Sequence, residues 1–183
     1  AVVRGYIAGL GGKEYEKNGT ISGQKLRGGL KLGEQLEDPI FTPSSKAKVG
    51  EHDENISYFD MENLVGSEFA AKIKEISLLL YNKAWRHCIT RGIIVADTKF
   101  EFGVNKDGQL FVIDEILTPD SSRFWAKDNY AVGSLPFSFD KQFIRDWLES
   151  GDFSKRNHEP EIPLHIVEGT KKKYQEALKI VCQ

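Results

Sequence analysis

Apolar residues recur along this chain with two periods, and the change from one to the other marks its elements. Over 60 to 91, Phe69, Ile73, Ile76, Leu80, Ala84 and His87 follow one another at three and four, the spacing of one helix face. Gly66-Ser67 divides a short first helix from the long one, and Gly92 closes the run as a C-terminal cap. Asp140 to Glu149 repeats the pattern with Phe143, Ile144, Trp147 and Leu148 inward, ending at Gly151. After a polar linker, Asp152 to Pro160, a final helix runs from about Pro163 to Cys182. Val2 to Ala8 reads as a strand. Gly9-Leu10-Gly11-Gly12 reads as a tight turn, since its glycines lack the spacing of known phosphate loops, and a polar hairpin-like stretch follows to about Leu26. Residues 27 to 56 are irregular, broken by Gly28-Gly29, Pro39 and Pro43, with 39 to 46 extended. A connection this long that carries Lys46, His52, Asp53, Glu54 and Asn55 is functional or mobile.

Period two returns at 93 to 116, where the chemistry concentrates. Asp97, Lys99 and Glu101 alternate within a run of Ile, Val and Phe, which puts them on one strand face with Ala96, Thr98, Phe100 and Phe102 on the other. Asp107-Gly108 predicts a two-residue turn that sets Glu101 opposite Asp114. A four-residue loop keeps that face; a three-residue loop breaks it and brings Glu115 round. Facing carboxylates repel unless a cation lies between them. Lys99 answers that need, as does Mg²⁺, which takes one or two carboxylates and completes its shell with water and phosphate oxygens. A solvated sheet face with alternating charges is the plainer reading. The next segment, Leu117 to Trp125, has turn composition at Pro119-Asp120-Ser121-Ser122 and then Arg123. Arg123 with Ser122 offers a planar donor fork and a hydroxyl to a phosphate, or else caps a loop.

Composition narrows the field. A chain of 183 residues buries a real core as one or two domains, and a net charge of −2 argues against a general nucleic-acid or membrane-surface binder. Cys88 and Cys182 lack metal-ligand spacing and fall in helical patterns, which predicts buried thiols in a reducing, cytoplasmic setting. No apolar run is long enough to span a bilayer, and no signal-peptide pattern opens the chain. His87 reads as a satisfied structural histidine and Lys171-Lys172-Lys173 as a solvated face. Ala1-Val2-Val3-Arg4 reads as mid-strand without an initiator Met, so sequence is expected upstream.

With these residues laid out, the chain resembles the phosphoribosylaminoimidazole-succinocarboxamide synthase (SAICAR synthetase) family, in its fungal-type branch. The carriers are Val3-Arg4-Gly5-Tyr6, Lys13-Glu14-Tyr15, Pro39 to Ala47, Gly50 to Ser57, Ala96 to Gly103, Asp114-Glu115 through Trp125, Ser138 to Phe143 and Arg145 to Leu148. The resemblance implies an α+β, ATP-grasp-like antiparallel sheet with flanking helices. Residues 1 to 183 would be the larger carboxy-terminal part, and the amino-terminal nucleotide-binding lobe would lie before Ala1. The implied activity joins L-aspartate to an imidazole carboxylate ribonucleotide at the expense of ATP, with Mg²⁺. By the resemblance Asp97 and Lys99 line the reacting centre, and Glu101 and Asp114 hold the metal and ATP. Lys46 approaches the nucleotide, Arg4, Ser122 and Arg123 grip the ribonucleotide phosphate, and Asp53, Asp120 and Lys141 shape the substrate pocket. It assigns no oligomeric state.

Two departures qualify it. Leu10 stands where the family's phosphate loop has a serine, and Gly12 where it has a tryptophan. Losing one hydrogen bond to a charged phosphate costs about 1.5–3 kcal/mol of binding. Without an upstream lobe the chain is expected to be poorly active alone. A non-catalytic nucleotide- or partner-binding descendant is the alternative; Leu10 and Gly12 favour it, whereas Asp97, Lys99, Glu101, Asp114 and Arg123 together argue against it. A small-molecule kinase of related fold, releasing ADP without aspartate, is a third.

Overall fold

A computed structural model of the protein describes residues 1–45, 54–151 and 160–183. Its centre is a four-stranded antiparallel sheet, order β4-β1-β5-β8, built from β1 (Val2–Tyr6), β4 (Gln35–Thr42), β5 (Ile93–Lys99) and β8 (Ser122–Ala126). Between β1 and β4 come α1 (Gly9–Asn18) and a small hairpin, β2 (Thr20–Ile21) with β3 (Gln24–Lys25). Two helices, α2 (Tyr58–Val65) and α3 (Ser67–Ile89), precede β5. A separate hairpin, β6 (Glu101–Val104) with β7 (Leu110–Ile113), joins β5 to β8, and α4 (Gln142–Ser150) and α5 (Leu164–Val181) finish the chain. The expected α+β architecture of antiparallel sheet and flanking helices is what forms.

One sheet face supplies Val3, Phe41, Ile93, Val95 and Phe124 to the main core, against Met61 of α2, Ala70, Ile73, Tyr81 and Cys88 of α3 and Ala177 of α5. Gly5 is required there: a Cβ would overlap the Tyr81 ring, whose hydroxyl donates to Val95 O at 2.8 Å. The buried stripe of α3 runs Ala70, Ile73, Ser77, Tyr81, Ala84 and Cys88, one residue off the predicted stripe at several positions. Small residues let the helix approach the sheet while Tyr81 finds a backbone acceptor, so Phe69, Ile76 and Leu80 are left half-buried at the flanks. His87 is exposed, with Nε2 2.9 Å from the Val181 carbonyl oxygen, in keeping with a structural role.

Other expectations are corrected. Gly9 to Gly12 opens α1 rather than forming a tight turn, and 35–42 of the irregular stretch is a full strand, β4. Only Cys88 is buried; Cys182 ends α5 and is exposed. Leu148 is exposed on α4, because it faces a cavity and not the core. Lys173 is not solvated: its Nζ lies 3.4 Å from the Phe137 ring centroid and donates to Ser138 O at 3.2 Å, so only Lys171 and Lys172 form the exposed run.

Candidate active site

The second sheet face carries a row of charge. Arg4 on β1 pairs with Asp97 on β5, which pairs with Arg123 on β8, so cross-strand register alone sets the three side by side. Asp97 Oδ2 accepts from Arg4 Nη1 at 3.0 Å and from Arg123 Nη1 at 2.5 Å. Register between β5 and β8 slips by one residue between Val95 and Asp97. Val95 pairs with Phe124 on the core face; after the slip Asp97 pairs with Arg123, on the face opposite. Strict alternation would have returned Asp97 to the face of Val95. Ala96 keeps the Tyr6, Ile94 and Trp125 side by alternation, and the slip brings Asp97 onto that same side, contrary to the expected division of that strand.

Arg4 is buried, which pulls its guanidinium pKa down; Asp97 opposes that shift and Arg123 adds to it. Two guanidiniums on one carboxylate oxygen leave a spare positive charge, suited to an anion. The first turn of α1 comes against this pair. A Cβ on Gly9 would overlap the Arg123 guanidinium, and one on Gly11 would lie 2.9 Å from Arg4 Cδ. Glycine in a helix is unfavourable by about 1 kcal/mol each relative to alanine; here close approach of backbone to arginine outweighs it. That turn also brings free N–H groups and the positive end of the helix dipole toward the same place. Leu10, 62% exposed, borders it and offers no hydroxyl.

Below the row, Thr98 and Ser122 share a hydrogen bond at 2.8 Å, both buried. Lys99 stands on the Asp97 side and its Nζ reaches Glu101 Oε1 at 3.1 Å, so Asp97, Lys99 and Glu101 share a side as alternation predicts. The facing of Glu101 and Asp114 is corrected: Glu101 pairs with Ile113. Asn105 Oδ1 accepts the N–H groups of Asp107 and Gln109 at 3.0 and 2.8 Å, closing a three-residue loop over 106–108 in place of the two-residue Asp-Gly turn. Asp114 then leaves the strand with φ 63°, a left-handed conformation that aspartate tolerates, and Glu115 comes round with it. Beyond them Thr118 gathers the Asp120 and Ser121 N–H groups, and Asp120 Oδ1 meets Lys141 Nζ at 3.1 Å. Partial burial raises the Asp120 pKa, but Lys141 and the neighbouring Glu115 and Arg145 outweigh it, and the net shift is downward.

All of these open into one cavity of about 1530 Å³. Arg4, Asp97, Lys99, Glu101, Asp114, Asp120, Ser122, Arg123 and Lys141 line it, though Arg4 and Arg123 lie 119 positions apart in the chain. Lys46 and Asp53 lie outside the described residues. Arg145 and Asp140 line the cavity without having been singled out; the four-residue spacing of Lys141 and Arg145 on a helix was the available signal for the former. Glu101 and Asp114 are two carboxylates that line the same cavity without facing each other across the hairpin, and among the described residues no three His, Cys, Asp or Glu side chains cluster as a metal site. No helix among the described residues is long and apolar enough to cross a membrane.

Residues 1–160 match the family model of SAICAR synthetase. The phosphoribosylaminoimidazole-succinocarboxamide synthase of Chromobacterium violaceum is 55% identical over 98% of this chain and 63% of its own length. This chain thus spans 63% of that relative. The structure of SAICAR-synthase from Saccharomyces cerevisiae complexed with SAICAR superposes with a TM-score of 0.86 at 44% identity, over 98% of this chain and 58% of that one. A type-2 SAICAR synthetase in complex with ADP gives 0.69 at 26%, over 98% and 60%. The higher likeness to the yeast protein agrees with the fungal-type resemblance.

Proposed function

We propose, because the chain belongs to the SAICAR synthetase family, that it is the larger carboxy-terminal part of a cytoplasmic ATP-dependent ligase of de novo purine biosynthesis. The reaction joins L-aspartate to the carboxylate of 5-amino-1-(5-phosphoribosyl)imidazole-4-carboxylate, giving SAICAR, ADP and phosphate. The observation that carries this reading is the Arg4–Asp97–Arg123 row opening into the same cavity as Lys99, Glu101 and Asp114. Relatives solved with SAICAR and with ADP support the substrate classes.

The γ-phosphoryl group of ATP passes to a carboxylate oxygen of the imidazole, leaving ADP and an acyl phosphate. The aspartate amine then attacks the acyl carbon, the carbon–oxygen bond to phosphate breaks, and the amine loses a proton. Both steps accumulate negative oxygen charge, so catalysis is positioning plus fixed positive charge. Arg123, Arg4, Ser122 and the first turn of α1 hold the ribose phosphate, with Asp97 keeping the two guanidiniums in register beside the reacting centre. Lys99, tethered to Glu101 at 3.1 Å, contacts the carboxylate as it is phosphorylated. Glu101 and Asp114 would hold Mg²⁺, which would supply positive charge to neutralise the ATP phosphates. Lys141, Asp120 and Asp53 would shape the substrate pocket around the ribonucleotide, and Lys46 would approach the nucleotide.

The full-length protein, given Mg·ATP, the imidazole carboxylate ribonucleotide and L-aspartate, should release ADP only when all are present. ADP release without aspartate would instead indicate a kinase. Nucleotide binding without turnover would indicate a non-catalytic descendant, the reading that Leu10 favours.

A further inference from the structure

Asp140 is 2% exposed although it borders the cavity, and the chemistry above uses neither of its oxygens. Oδ2 accepts the Phe124 N–H at 3.0 Å and the Ser138 hydroxyl; Oδ1 accepts the Gln142 N–H at 2.7 Å. Both backbone donors sit where regular structure stops. Residues 137–139 run beside β8, with Ala126 N–H donating to Phe137 O and Phe139 N–H to Phe124 O, each at 2.8 Å. Phe124 N–H is the next donor on that edge, and Gln142 N–H is an orphan of the first turn of α4. One carboxylate therefore ties a β-strand to the start of a helix.

The residues next to those ties are cavity cations. Arg123 precedes Phe124, and Lys141 lies between Asp140 and Gln142. Arg145 N–H donates to Lys141 O at 3.1 Å, which carries the placement one turn further. Lys173 holds the segment from behind through Ser138 O, and Gly169 leaves room for the Phe143 ring, which a Cβ there would overlap. We infer that Asp140 is a positioning residue that sets the separation of Arg123 and Lys141 across the cavity, so that one substrate meets both cations together.

The inference rests on the ligase reading and has a test independent of it. In Asp140→Asn a single acceptor oxygen replaces two, and one backbone N–H loses its partner. In the full-length enzyme the KM for the ribonucleotide should rise about tenfold while kcat falls less than threefold. Lys141→Ala should cost less in the Asp140→Asn background than in wild type, since the first change has already displaced Lys141. A milder variant, Ser138→Ala, keeps both backbone ties and should raise KM about two- to threefold. An unchanged KM in Asp140→Asn, or effects of Asp140→Asn and Lys141→Ala that multiply fully, would overturn the inference. Amide hydrogen exchange reads the tie without turnover: in Asp140→Asn, protection should fall about tenfold at Phe124 or Gln142 and over 141–145, but not at Val95. Unchanged protection there overturns the positioning role, whereas loss of aspartate dependence in wild type overturns the ligase reading alone.

Discussion

The two halves of the cavity are built differently. The Arg4–Asp97–Arg123 row lies within the four-stranded sheet, with the Arg4 and Asp97 side chains each only 6% exposed and packed under α1. Glu101 and Asp114 stand on and just past a separate two-stranded hairpin, where Phe111, Ile113 and Val104 are about half exposed. A lone hairpin is marginally stable by itself, whereas a central strand opens only with the whole fold. On the proposed ligase reading the difference would separate two tasks. A phosphate common to substrate and product would be met by charges already fixed in place. The nucleotide, arriving as ATP and leaving as ADP, would meet carboxylates on a lightly supported element.

The contrast breaks most completely at Asp97. Asp97→Ala leaves two guanidiniums facing each other with no anion between them; breaking a buried pair of this kind costs about 3–5 kcal/mol. Urea unfolding should show that loss, with turnover falling below detection. The other half should separate function from stability. Lys99→Ala removes a side chain that is 43% exposed, so the urea midpoint should barely move, while kcat drops about 10²–10³-fold in a single-turnover assay. An equal drop in stability would show that the hairpin side is as structurally committed as the row.

Smaller changes sharpen the same comparison. Gly9→Ala places a Cβ on a residue with φ 54° and presses on Arg123. The backbone penalty is about 1–2 kcal/mol, and displacement of Arg123 should raise the ribonucleotide KM while leaving that for ATP unchanged. The smallest effect belongs to Asp120, whose pKa is lowered and whose pair with Lys141 is half exposed. A carboxylate with a depressed folded-state pKa contributes stability above its unfolded value and loses it as pH falls through the folded value. Asp120→Asn should therefore change stability by less than about 0.5 kcal/mol at neutral pH, after solvent screening. The variant should differ from wild type progressively less as the medium is made acid.

Some of this was legible in the chain. The helices at 60–91, 140–149 and 163–182 follow from amphipathic spacing and Gly stops, and their observed bounds differ by only a few residues. Asp97, Lys99 and Glu101 share a side as period two requires. The expected facing of Glu101 and Asp114 failed because Asn105 supplies the turn hydrogen bonds that the Asp-Gly signal predicts from elsewhere, lengthening the loop by one residue. The glycines before Lys13 read as a turn because what Gly9 makes room for, Arg123, lies far along the chain, and what Gly11 makes room for, Arg4, is brought back only by the fold. At Asp140 the bonds to Ser138 and Gln142, each two residues away, are local, whereas the one to the Phe124 N–H of β8 carried no local signal.

The sequence by itself determined the first strand, the helices after residue 58, the alternation of charge at 97–101 and the family likeness, all of which rest on residues a few positions apart. Tertiary structure alone decided which face Asp97 takes, what pairs with Glu101, and that Asp140 joins a strand to a helix. The reason is parity. One extra residue in a strand or a loop turns every following side chain to the other face, and whether it is accommodated depends on the partner strand and on what packs above it.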